Sequence, residues 1–196
     1  MRSRPTFKGN IMKIYRPVKR NLCTQKFGLA NTNPSVLPLY KQLGLDGHDG
    51  LDFLTENGDD VRFNFGGKGV VQSTKIDSSG GLGVSVLFEN NGKHYKTIYW
   101  HLKEFKVKTG DAVESGTLLG LADNTGMSTG SHLHFGLYET DKNGDVINYN
   151  NGYRGAMDPN PFIQNIYILD ELAYLEGQIK VIQLKIIETL KKLLGK

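Results

Sequence analysis

Between about residues 27 and 135, apolar and polar positions alternate in short runs broken by glycine: DVRFNF at 60–65, GVSVLFE at 83–89, HYKTIYWHL at 94–102 and SHLHFGLYE at 131–139. A period of two marks half-buried strands, because successive strand side chains point to opposite faces. The pattern predicts a mostly β domain, a compact antiparallel β-sheet with glycine-rich hairpins. NNG at 90–92 and DKNGD at 141–145 supply the left-handed residues that tight turns need. The second lacks the distal bidentate glutamate of a calcium loop and reads as a turn. VKTGDAVESGTLLG, at 107–120, reads as a pair of short strands in a tightly rolled β core.

From about residue 165 the period changes. Ile168, Leu172, Leu175, Ile179, Ile182, Ile186 and Leu193 follow steps of four and three, with one step of seven whose missing position is Thr189. This predicts a C-terminal amphipathic α-helix with close to a heptad seam. Two fates are open to such a seam: packing on the β body, or pairing with its own copy as a homo-oligomer or with another chain.

Composition narrows the class. With 196 residues, 38% hydrophobic and 22% charged, the chain suits one globular domain with a core plus an appendage. A single cysteine, Cys23, excludes a disulfide framework and any multi-cysteine metal site, so a metal here must use His, Asp or Glu. No apolar run approaches the roughly 18–20 residues of a transmembrane segment, and MRSRPTFKGNIMKIYRPVKRN has charges without the apolar stretch of a signal peptide. Met12 opens a plausible natural start, which would make residues 1–11 a leader or an expression remnant. The net charge of +4 is uneven: residues 1–45 carry nine Lys/Arg and no Asp/Glu, leaving fifteen basic and twenty acidic residues elsewhere. Residues 1–26 therefore read as a basic N-terminal arm, attractive to polyanions in general. Motifs for nucleic-acid recognition are absent, so no nucleic-acid partner is expected.

The candidate chemistry lies in the histidines. In GSHLHFG, alternation points His132 and His134 one way and Leu133 and Phe135 the other, with the two histidine roots about 6.6 Å apart. An isolated H-x-H is more often solvated than ligating. Upstream, GHDGLDF places His48 and Asp52 four apart, which on a strand is one face, with Gly50 between them keeping that face open. Adding either imidazole of HLH makes a His₂Asp set with room for a fourth ligand, the pattern of a catalytic rather than a closed zinc site. In YWHL, alternation sends Tyr99 and His101 to one face and Trp100 and Leu102 to the other. His94, at the start of a hairpin strand, reads as a surface residue.

GHDGLDF, YWHL and TGMSTGSHLHFG together resemble the signatures of the lysostaphin-type zinc endopeptidases, which cut cross-bridges or stem peptides of bacterial peptidoglycan. The resemblance covers roughly residues 27–163 and closes at MDPNPFI, with Asp158 and Pro159. It implies a zinc endopeptidase domain over 27–163, flanked by the arm at 1–26 and the helix at 164–196. It further implies Zn²⁺ as cofactor, His48, Asp52 and His134 as its ligands, and His101 and His132 as catalytic histidines. A peptidoglycan peptide is then the substrate and the cell wall the place of action. Without a recognisable signal peptide, the expected setting is a phage or prophage lytic enzyme released by lysis or carried in a virion, where the C-terminal helix would suit attachment to a virion partner or oligomerisation. The alternative is a non-catalytic wall-binding or virion structural module on the same fold. Three departures bear on substrate choice: the long LANTNPSVLPLYKQL insertion at 29–43, expected to rim the cleft; Ser131, where relatives often have proline; and VRFNF at 61–65, in place of a usually smaller, proline-containing segment.

Overall fold

The computed structural model describes residues 12–29 and 33–194; the proposed leader at 1–11 lies outside them. Twelve strands and two α-helices follow in the order β1 (Ile14–Arg16), β2 (Cys23–Gln25), α1 (Leu37–Gln42), β3 (Leu51–Leu54), β4 (Asp60–Arg62), β5 (Lys68–Asp77), β6 (Gly81–Asn90), β7 (Lys93–Phe105), β8 (Ala112–Glu114), β9 (Leu118–Ala122), β10 (His132–Thr140), β11 (Ala156–Met157), β12 (Ile163–Tyr167) and α2 (Ile168–Leu193). The main sheet is antiparallel, in the order β2-β3-β10-β7-β6-β5-β8, with β11 on β10 and β9 bridging β7 to β4. The mostly β fold with a C-terminal helix is thus the one predicted by the alternation and the change of period after it.

Hairpin chemistry sets the register of the central strands. Asn91 and Gly92, both at positive φ, turn β6 into β7, so Phe88 faces Tyr95 and Val86 faces Thr97. The two short strands expected at 107–120 form, as β8 and β9, but pair with other strands: β8 with β5, β9 with β4 and β7. One face of the sheet carries the core. Leu133, Phe135 and Leu137 of β10, Tyr99 and Leu102 of β7, and Leu51 and Phe53 of β3 are all buried in one cluster.

The basic arm needs correction over its described part. Met12, Ile14 and Val18 belong to the core cluster, and β1 pairs in parallel with β12. Even Arg16 is buried, its Nη1 donating to the Lys19 carbonyl at 2.7 Å. The excess of charge obscured a three-residue strand too short to show a period. At the other end, β12 runs to Tyr167 and α2 begins at the next residue. Ile168 packs with Tyr15 and Tyr167, and Leu172 joins that small cluster. Beyond it the helix leaves the body, and every described residue from 173 onward is exposed. Packing of the whole seam on the β body does not occur.

Candidate metal centre and cleft

Three elements bring their side chains to one point. β10 pairs with β3 so that His134 faces Asp52, and with β7 so that His134 faces Trp100. Alternation along β10 works as expected: Leu133 and Phe135 enter the core, while His132 and His134 turn to the opposite side. His48 differs from the expectation. It precedes β3 in a loop held by a bridge to Gly28, so loop geometry rather than strand periodicity brings it beside Asp52.

His48 Nε2 lies 3.0 Å from Asp52 Oδ1, His134 Nδ1 lies 3.1 Å from the same oxygen, and the two nitrogens are 3.1 Å apart. His48 Nδ1–H donates to the Lys26 carbonyl at 3.0 Å, so the neutral ring turns a lone pair on Nε2 toward the other two atoms. A carboxylate oxygen and imidazole lone pairs, all buried and all converging, require a positive charge between them. In the metal-free protein a proton serves: burial opposes the charge on Asp52, but the hydrogen bond from His134, with the His48 ring beside it, overrides this and holds the carboxyl far below its ordinary range. Burial likewise disfavours charge on His134, and the bond to Asp52 reverses that, so its affinity for a proton is raised. A tetrahedral cation with ligands at about 2.0–2.1 Å separates its donors by about 3.3 Å, so these three atoms fit one with a slight opening. Among the described residues this is the cluster of His, Asp and Glu able to hold a metal.

Gly50 makes the approach possible. A Cβ there would lie 2.5 Å from the Phe135 carbonyl oxygen and 2.7 Å from His134 Cε1, so any other residue would push β3 and the ring apart.

The remaining two histidines flank the triad. His132 Nδ1–H donates to the Gly130 carbonyl at 2.8 Å, with Ser128 Oγ at 3.1 Å, and its Nε2 lies 3.8 Å from Asp52 Oδ1. His101 Nδ1–H donates to the Thr125 carbonyl at 2.7 Å, and the His101 and His132 rings are 4.5 Å apart. Burial, with the neighbouring imidazoles adding to it, lowers the His101 pKa to about 4.

Its route to the site is not the one alternation predicts. Tyr95, Thr97 and Tyr99 face the core, while Lys96, Ile98 and Trp100 face the cleft. Val84 pairs with Tyr99 and Leu82 with Leu102, leaving one extra residue on β7, and His101 sits in this bulge with a φ of 67°. The bulge puts Trp100 and His101 on the same side. Tyr99 therefore does not share a face with His101: it is buried in the core, its hydroxyl donating to Asn64 Oδ1 at 2.6 Å.

Beside the cluster runs a cleft of about 360 Å³, lined among others by Tyr40, Asp49, Trp100, His101, His134 and Tyr138. Tyr40 comes from α1, so the insertion does border the cleft. Two contributors escaped the sequence reading. Asp49 Oδ1 stands 3.6 Å from His134 Nε2, and only its place inside GHDGLDF hints at this. Lys96, over the Tyr138 ring at 5.5 Å, carries no local signal.

The model of peptidase family M23 matches residues 46–149, which is more than half of the chain. The chain belongs to peptidase family M23. Glycyl-glycine endopeptidase ALE-1 of Staphylococcus capitis is 35% identical over 125 residues, covering 63% of this chain and 31% of that relative. The catalytic domain of the antimicrobial peptidase lysostaphin from Staphylococcus simulans superposes with a TM-score of 0.51 at 26% identity, over 74% of this chain and 91% of that one. A zinc-containing peptidase from Vibrio cholerae does so with a TM-score of 0.55 at 27% identity, over 76% and 39%. This M23 chain spans less than a third of the length of ALE-1. None of its described helices is long and apolar enough to cross a membrane.

Proposed function

We propose that this M23 chain is a zinc-dependent endopeptidase that hydrolyses peptide bonds in bacterial peptidoglycan, in the cross-bridge or the stem peptide. One observation carries the reading: the lone pairs of His48 and His134 and an oxygen of Asp52 converge within 3.0–3.1 Å of one another beside an open cleft. Two imidazoles and one carboxylate suit zinc better than calcium or magnesium, which prefer all-oxygen sites. When bound, zinc acidifies water and polarises a carbonyl, the two requirements of amide hydrolysis.

The chain's own residues supply the rest. His132, with Nδ1–H fixed by Gly130, presents Nε2 as an acceptor toward the centre. It is the candidate general base, taking a proton at Nε2 and returning it to the leaving amine, a role worth about 10²–10⁴-fold. His101 is neutral near pH 7 because burial depresses its pKa, and its Nδ1–H is already committed to Thr125. Its Nε2 therefore accepts a hydrogen bond and orients the attacking water; it does not donate to an oxyanion. Asp49 and the Lys26 carbonyl steady His134 and His48 from behind.

Elemental analysis of the purified chain alongside digestion of purified walls tests this. One zinc per chain with chelator-sensitive release of peptide fragments is expected. Wall binding without cleavage in zinc-loaded protein would favour the non-catalytic module instead.

A further inference from the structure

We infer that the exposed face of α2 pairs, antiparallel, with α2 of a second copy of this chain. The face begins on the body: Ile168 is buried there, and a Cβ on Gly116 would touch Leu172 and Leu169. The same stripe then continues past the edge of the body, and every described residue from 173 onward is exposed. Leu175, Ile179, Ile182, Ile186, Leu190 and Leu193 are each 44–77% exposed. A helix this apolar along one side needs a partner to cover it.

Spacing and charge identify the partner. Leu172, Ile179, Ile186 and Leu193 occupy one set of core positions of a heptad, and Ile168, Leu175, Ile182 and Thr189 the other. An antiparallel copy layers Leu175 of one chain against Ile186 of the other, and Ile179 against Ile182. Thr189, the polar break in the seam, then meets Leu172 at the end of the overlap instead of a second threonine.

The charges select this direction. Residues 168–179 of α2 carry Asp170, Glu171 and Glu176 and no basic residue; residues 180–193 carry Lys180, Lys185, Lys191 and Lys192 against Glu188. A parallel pair would place acid on acid and base on base. An antiparallel pair sets each acidic half on a basic half, brings Glu171 opposite Lys192 and Gln178 opposite Lys185, and opposes the helix dipoles favourably. Lys192 already meets Glu188 at 3.1 Å within its own helix, but an exposed pair of that kind holds little and leaves it available.

Sedimentation equilibrium on the full chain tests the pairing without any activity readout, so its outcome leaves the peptidase proposal untouched. The expected mass is twice that of the chain, falling to monomer in I182E/I186E with β-sheet circular dichroism unchanged. Direction is read in a C23S background. A mixture of I179C and I182C should form the mixed disulfide under mild oxidation, and I179C alone should not link to itself. A monomer at about 100 µM, where micromolar association would be complete, would overturn the pairing. So would a trimer or larger assembly, or efficient self-linking of I179C, the signature of parallel helices.

Discussion

Strands β10 and β7 lie side by side and both deliver imidazoles to one centre, yet by different means. β10 is regular: strict alternation sends Leu133 and Phe135 into the core and His132 and His134 out of it. β7 is regular only to Trp100, and His101 reaches the centre because an extra residue in left-handed conformation turns it there. A periodic strand places residues that must stand in fixed register, here a ligand candidate and a base candidate two positions apart. A bulge re-aims a single side chain at the rim without disturbing the core beneath it.

The comparison can be tested at decreasing scale. His134→Ala should abolish both zinc binding and wall digestion, read by elemental analysis and fragment release, whereas His132→Ala should keep zinc and lose about 10²–10⁴-fold in rate. If both variants lost the metal, the division of labour along β10 would be wrong.

The next effect is on stability in acid, measured by thermal unfolding of metal-free protein. His101 titrates near 4 when folded and near 6.5 when unfolded, so between those values the unfolded chain binds more protons. Stability should therefore fall as pH drops from 6.5 through 4, by up to about 3 kcal/mol, and His101→Asn should flatten that limb. The raised affinity of His134 acts in the opposite sense: its contribution is full below 6.5 and is lost as pH rises through its folded value. The depressed Asp52 contributes fully above its unfolded value near 4 and loses stability only below that.

Gly50→Ala should cost about 1–3 kcal/mol by forcing β3 from β10, and lower zinc affinity with it, whether or not the loop carrying His48 follows. The smallest effect is the most specific to the bulge. Valine at 101 must adopt a positive φ that a β-branched residue resists, and valine at 132 stays in an extended strand. In metal-free protein His101→Val should be about 1–2 kcal/mol less stable than His132→Val; equal melting temperatures would remove the conformational argument.

The sequence was legible wherever one local rule governed. Alternation identifies the long strands, NNG marks its hairpin, and the change of period marks α2, because each depends on neighbours along the chain. The clustering of His48, Asp52 and His134 was readable mainly through the resemblance of three motifs to a family, since spacing alone left either histidine of HLH open. What escaped depends on residues distant in sequence. β1 is three residues long and is defined by pairing with β12, about 150 positions away. The bulge at His101 is defined by its mismatch with β6, and Lys96 gains meaning only from the cleft formed around it.

No linker separates β12 from α2: Tyr167 ends one, Ile168 begins the other, and both are buried. The helix consequently has no slack at its root and is a stiff shaft bolted to the β1–β12 pair rather than a leash. Whatever grips its far end also sets the direction in which the cleft points, and a load applied there is felt first by the ladder joining β12 to β1. Inserting a few glycines after Tyr167 would uncouple grip from aim while leaving both the shaft and the cleft intact.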